Sequence, residues 1–107
     1  MDILSADIVI ETFLSELRAG FGSALREVWL FGSRARGDAQ DGSDYDMLVV
    51  VAGDVTVLKQ KVRDAEWVCM ERYNALVSCI VYTEAQWQDR KQTPLGWNIQ
   101  REGKLVA

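Results

Sequence analysis

Residues 30–51 read LFGSRARGDAQDGSDYDMLVVV. An apolar run closes at Phe31 and is broken by Gly32-Ser33. After ten further residues Asp44-Tyr45-Asp46 opens a second apolar run through Val51. Glycine permits the break, and Asp38 to Ser43 is rich in turn formers, so the order predicts strand, turn, surface loop, strand. This segment lays down two strands of a sheet and the polar groups at their junction.

The flanks extend that unit. Val28-Trp29-Leu30-Phe31 is apolar on both faces, as in a strand covered on both sides, predicted over Glu27–Phe31. Ahead of it, the spacing of Ile10, Phe13, Leu14, Leu17 and Phe21 predicts a helix over 5–19, capped by Ser5 and ended by Gly20 or Gly22. Ser33 is placed to cap a short helical turn through Arg36, which Gly37 stops. Asp44–Val51 is the second strand. Asp54 caps a helix from Val55 to about Arg72, whose Val55, Leu58, Val62, Ala65 and Cys69 form one stripe. Ala75–Tyr82 is a third strand. Thr83 with Gln86 makes a capping box for a short helix through about Arg90. Thr93-Pro94 starts a last helix, with Leu95 and Ile99 on one face, that ends near Gly103. The order α-β-α-β-α-β-α-α, with no repeat or linker, predicts one α+β domain over residues 1–107. It is α/β-like in its alternation: a small mixed sheet of three or slightly more strands with helices packed on it.

A length of 107 residues suits that single domain, and a hydrophobic fraction of 49% supports a core of ordinary size. The net charge of −4 has the wrong sign for gripping a nucleic-acid backbone, so a nucleotide or a protein is the better-matched partner. No window of about 18 apolar residues exists, which argues against a membrane span. The start, MDILSADI, lacks a basic region, so a cytoplasmic location is expected. With no histidine, Ser-His and Cys-His nucleophiles are excluded. Cys69 and Cys79 lie in apolar segments without a CxxC pattern and read as buried, reduced thiols. Trp29, Trp67, Trp87 and Trp97 can serve the core or an interface, which leaves a homo-oligomer open.

Any chemistry must therefore rest on carboxylates, arginines, hydroxyls and metal. On a strand, Asp44 and Asp46 point to one face with Cα atoms roughly 6.6 Å apart. Two carboxylates so placed repel each other and are best accommodated around a divalent cation. Gly32 lets backbone approach a ligand, the N–H groups opening the next turn suit an anion, Ser33 adds a hydroxyl, and Arg34 and Arg36 add positive charge. A phosphate cradle at one strand end and a metal pair on the next strand are the parts that phosphoryl or nucleotidyl transfer requires.

The string GSRARGDAQDGSDYDMLVV resembles the signature of the nucleotidyltransferase superfamily related to DNA polymerase beta. Its Gly-Ser-x-Ala-Arg-Gly and Ser-Asp-x-Asp wording is most similar to the minimal nucleotidyltransferase branch, as is the ending NIQREGKLV. The resemblance implies a nucleotidyltransferase fold in which Gly32 and Ser33 bind a triphosphate and Asp44 and Asp46 bind Mg2+. It also implies transfer of a nucleoside monophosphate, AMP from ATP, to a hydroxyl. Several minimal members are antitoxins that silence a HEPN-domain toxin by binding or by adenylylating it, which implies such a protein partner here.

The chain departs from the pattern at one position. Members usually supply a third carboxylate from a later strand as general base, and the matching residue here is Ser78. Serine does not act as a base near neutral pH. Glu71 and Glu84 flank that strand as candidate substitutes. Two readings follow: a magnesium-dependent transferase acting on a partner protein, or a nucleotide-binding module that neutralises a partner by contact. An aminoglycoside-modifying enzyme fits the motif but needs a substrate domain for which the chain has no room.

Overall fold

The computed structural model describes residues 7–40 and 42–107. Helix α1 (Ile8–Phe21) leads into a single 3-10 turn and strand β1 (Leu25–Phe31). A one-turn helix α2 (Ser33–Arg36) follows, then β2 (Tyr45–Val51), α3 (Val55–Tyr73), β3 (Val77–Thr83), α4 (Glu84–Arg90), α5 (Pro94–Glu102) and a short β4 (Lys104–Leu105). The four strands form one mixed sheet in the order β3-β2-β1-β4. β1 runs antiparallel to β2 and β4, whereas β2 and β3 are parallel, joined by the crossover helix α3. The expected α+β architecture is the observed one.

Alternation along the strands splits the core in two. Val28, Leu30, Met47, Val49, Val51 and Val77 meet Phe13, Leu14 and Leu17 of α1 and Val62, Ala65 and Cys69 of α3. On the other face Leu48 and Val50 meet Trp87 of α4 and Ile99 of α5, with Trp29, Phe31, Ile80 and Tyr82 packed around them. Each fully buried side chain such as Phe13 or Leu17 contributes about 1.5–3 kcal/mol, so these helices are held mainly by their stripes.

Several local expectations are revised. The start of α1 anticipated at residue 5, with Ser5 as its cap, lies outside the described residues. The observed N-cap is Asp7, whose Oδ1 accepts from Val9 N at 2.9 Å and Ile10 N at 3.3 Å. Gly22, at φ +55°, ends the helix, and Gly20 lies within it. β1 begins at Leu25 because Arg26, polar but exposed, is tolerated beside Glu84 at 3.4 Å. Gly32, not Ser33, occupies the N-cap position of α2, and no side chain caps it. Asp44 precedes β2. On α5 Ile99 is buried, whereas Leu95 is exposed because the helix packs through Gly96 and Ile99 instead. Cys69 is buried and Cys79 half-buried, both free. Trp87 is fully buried, while Trp67 and Trp97 are exposed.

β4 was not foreseen. Gly103 makes it possible: a Cβ there would meet Ile99 O and come within 3.1 Å of Leu30 O, so only glycine lets α5 end so close to β1. Val106 N then donates to Val28 O at 2.8 Å, and Val28 N to Ala107 O at 2.9 Å. Among the described residues, no helix is long and apolar enough to cross a membrane.

Candidate active site

The antiparallel register pairs Phe31 with Asp46, so the residue after Phe31 arrives beside the Asp46 side chain. Gly32 takes φ +73°, ψ −157°, a backbone region essentially reserved for glycine. A Cβ at Gly32 would collide with Asp46 Oδ2 and stand 3.2 Å from its Cγ and 3.3 Å from its Cβ. The Gly-Ser turn and the second acid are thus pressed together. This contact is the geometric centre of the site.

Ser33, half-buried, opens α2. The first internal bond of that turn is made by Ala35 N to Gly32 O at 3.1 Å, so the N–H groups of Ser33 and Arg34 precede it. With only four residues, α2 has little dipole of its own; the anion donors on offer are the turn's N–H groups and hydroxyl. Gly37, at φ +86°, closes the turn.

Asp46 is half-buried, and its carboxyl is held above the usual carboxylate range. Burial is the main cause and the charge of Asp44 the second; the Arg36 guanidinium opposes both. Asp44, exposed in the loop before β2, is therefore close enough for its charge to be felt at Asp46. Two acids with incomplete compensation fit a divalent cation, and their hard oxygen donors suit magnesium. Among the described residues, no group of three His, Cys, Asp or Glu side chains converges on a metal position.

The two arginines part company. Arg36 reaches Asp38 (Nε–Oδ2 3.3 Å) and Glu102 at the end of α5 (Nη1–Oε2 3.6 Å), on the Asp46 side of the sheet. Arg34 turns away. Its guanidinium carbon lies 3.8 Å from the centre of the Tyr45 ring, and its Nε donates to Ser43 O at 2.9 Å. Tyr45 belongs to the opposite face, where its hydroxyl donates to Asp7 Oδ2 at 2.8 Å. Burial and that bond push the Tyr45 hydroxyl up to about 12. Arg34 and Asp7 thus brace the backbone between the two acids from behind.

Ser78 pairs with Asp46 across the parallel β2–β3 ladder and is exposed. The position expected for a third carboxylate is therefore adjacent to the site and carries a hydroxyl. Glu84 lies beyond the far end of β3, paired with Arg26. Glu71 belongs to α3, which covers the other face. Neither is placed beside Asp46. Sequence reasoning missed Asp7 and Glu102. Asp7 carried a signal, an acid just ahead of the stripe that begins at Ile10; Glu102 carried none, because its link to Arg36 depends on how α5 is laid across the sheet.

A family model described as a nucleotidyltransferase domain matches residues 10–95. Over 103 residues the chain is 27% identical to a provisionally named protein adenylyltransferase of Methanocaldococcus jannaschii, covering 96% of this chain and 99% of that relative. A provisionally named nucleotidyltransferase from Sulfolobus solfataricus, solved as a crystal structure, is 30% identical with a TM-score of 0.53, over 91% of this chain and 75% of that one. A crystal structure of a toxin–antitoxin with AMP-PNP shares the fold at 17% identity, with a TM-score of 0.59 over 91% of this chain and 72% of that one.

Proposed function

This chain belongs to the nucleotidyltransferase domain family, and from that membership we propose that it moves AMP from ATP to a hydroxyl of a partner protein with Mg2+ as cofactor. The observation that carries this reading is the contact of the Asp46 carboxyl with the Gly32 backbone, which joins a phosphate-sized turn to an acid pair. The Ser33 and Arg34 N–H groups and the Ser33 hydroxyl would hold phosphate oxygens. Arg36 would exchange its exposed ion pairs with Asp38 and Glu102 for the triphosphate. Asp44 and Asp46 would hold magnesium, which when bound supplies charge neutralisation for the polyphosphate.

In the transfer, the acceptor oxygen forms a bond to the α-phosphorus. The bond from that phosphorus to its bridging oxygen breaks, pyrophosphate leaves, and the acceptor proton passes to a base. Ser78 cannot take it, so solvent or substrate serves. The partner reading draws on the similarity to a protein adenylyltransferase and on the shared fold of the toxin–antitoxin structure. A small HEPN-domain toxin, with this chain as its antitoxin, is the partner we propose, in the cytoplasm and within a single domain. Transfer of radiolabel from [α-32P]ATP to candidate partners tests the reading. Asp46→Asn should lower labelling by roughly 100-fold or more; equal labelling by the variant sinks it.

Ser78 favours a second reading, a nucleotide-binding module that silences its partner by contact alone. Calorimetry separates the two: partner affinity indifferent to ATP and magnesium, with no label transferred, supports the module.

A further inference from the structure

β3 is the outer strand of the sheet, so one of its edges faces away from β2. Tyr45 N donates to Leu76 O at 2.9 Å, which assigns the even-numbered backbone groups of β3 to β2 and turns those of Val77, Cys79, Val81 and Thr83 to the open edge. One of these is satisfied locally: Thr83 N donates to Gln86 Oε1 at 2.9 Å. Beside this edge a groove of about 360 Å³ is lined by Lys59, Arg63 and Glu66 of α3 and by residues 79–82. Lys59 and Arg63 are exposed and make no ion pair within 4.0 Å among the described residues. One position beyond Glu66, Trp67 is 62% exposed. An open strand edge, a groove whose two cations outnumber the one carboxylate near Arg63, and an exposed tryptophan next along α3 are the ingredients of an extended-peptide site.

We infer that this edge docks an extended, acidic segment of the acceptor protein as an added strand. The inference rests on the transferase reading above and specifies its acceptor. Alternate side chains of an added strand point to opposite faces. Those on the α3 side would meet Lys59, Arg63 and the single acid Glu66, a lining of net positive charge that calls for Asp or Glu. Those on the other side would lie over Ser78, the direct neighbour of Asp46. The added strand would run about 10 Å from β2, two strand spacings, and a tyrosine hydroxyl on it would cover most of that distance toward the Asp46 carboxyl. Because Ser78 is small, it leaves that lane open.

A fluorescein-labelled decapeptide alternating Glu and Thr around one Tyr is the probe, with a Lys-for-Glu version as control. Fluorescence anisotropy without nucleotide should show the acidic peptide binding about 10-fold more tightly than the basic one. The surface variant Lys59→Glu/Arg63→Glu should invert that order, and amide exchange at Val77 and Val81 should slow on binding. Equal binding of the two peptides, or unchanged exchange at those amides, overturns the proposal. So does a dimer in sedimentation that occupies the edge and excludes the peptide, since the occupant is then a second copy. If the peptide binds as stated and no AMP moves to it with ATP and magnesium, the docking edge stands and the transferase reading fails. If the double variant labels a protein acceptor as fast as the parent does, the docking edge fails and the transferase reading stands.

Discussion

Replacing Gly32 with alanine tests the site at its closest contact. Two costs add. The backbone at φ +73°, ψ −157° is in a region where a non-glycine residue costs roughly 1–3 kcal/mol. The new Cβ must also push Asp46 off its position, because Cγ and Cβ of that residue stand at 3.2 and 3.3 Å and Oδ2 closer still. Forcing the Asp46 side chain from its rotamer adds about 0.5–1.5 kcal/mol. The sum, roughly 1.5–4.5 kcal/mol, lowers Tm by about 6–20 °C against the roughly 5–15 kcal/mol expected for a domain of this size. Gly37→Ala is the control: its φ is +86°, but nothing lies within 4 Å of the added Cβ, so only the backbone term of roughly 1–2 kcal/mol applies. Thermal unfolding gives the stabilities, and calorimetry with ATP and magnesium reads the site at a temperature where both variants are folded. Gly32→Ala should lose nucleotide binding and Gly37→Ala should keep it. If the two variants match in stability and in binding, the Gly32–Asp46 contact is not the centre of the site.

The other predictions concern single groups around it. Ser78→Asp places a carboxylate directly across from Asp46, and AMP transfer should rise by roughly 100- to 10,000-fold in the radiolabel assay; an unchanged rate means that the missing base does not limit turnover. Tyr45→Phe keeps the ring under Arg34 but loses the bond to the Asp7 carboxylate, which should cost about 1.5–3 kcal/mol, read as a lower urea midpoint with an unchanged slope. The Cys69 thiol, buried and donating to Val9 O, is pushed up to about 11 from 9.0. At pH 8 its thiolate fraction falls from about one in ten to about one in a thousand, so disulfide-exchange labelling should be on the order of 100-fold slower than in urea. Because the folded state then holds a proton that the unfolded state releases, stability should decline as pH rises past about 9, and a flat profile to pH 10 would contradict the assignment.

Much of this molecule is written in short-range pattern. The stripe from Ile10 to Phe21 and the Thr83–Gln86 capping box each depend on residues within a few turns of one another, and both appear where spacing places them. Gly32 was legible as a close-approach position, but its neighbour was not: sequence suggested a ligand, and the structure puts Asp46 there. Arg34 shows the limit most clearly. Its place in the sequence puts its charge within reach of the Gly-Ser turn, yet a stacking partner on the opposite face of the sheet holds it, and that face is decided by strand pairing. β4 escaped notice because two residues have no periodicity to read. Their pairing with β1 follows from Gly103 and from where α5 ends.

The stitching of Val106 and Ala107 to Val28 bears on the route by which the chain folds. The β1–β2 pair closes over a short loop and brings Gly32 to Asp46 with contacts that are local in sequence. The link from Val28 to the last residues spans most of the chain and carries a larger loop-closure entropy. The half-site is therefore expected to form early, from a hairpin-like unit that already holds both of its parts. The final residues are expected to lock it late, as a clasp on the strand that leads into the turn.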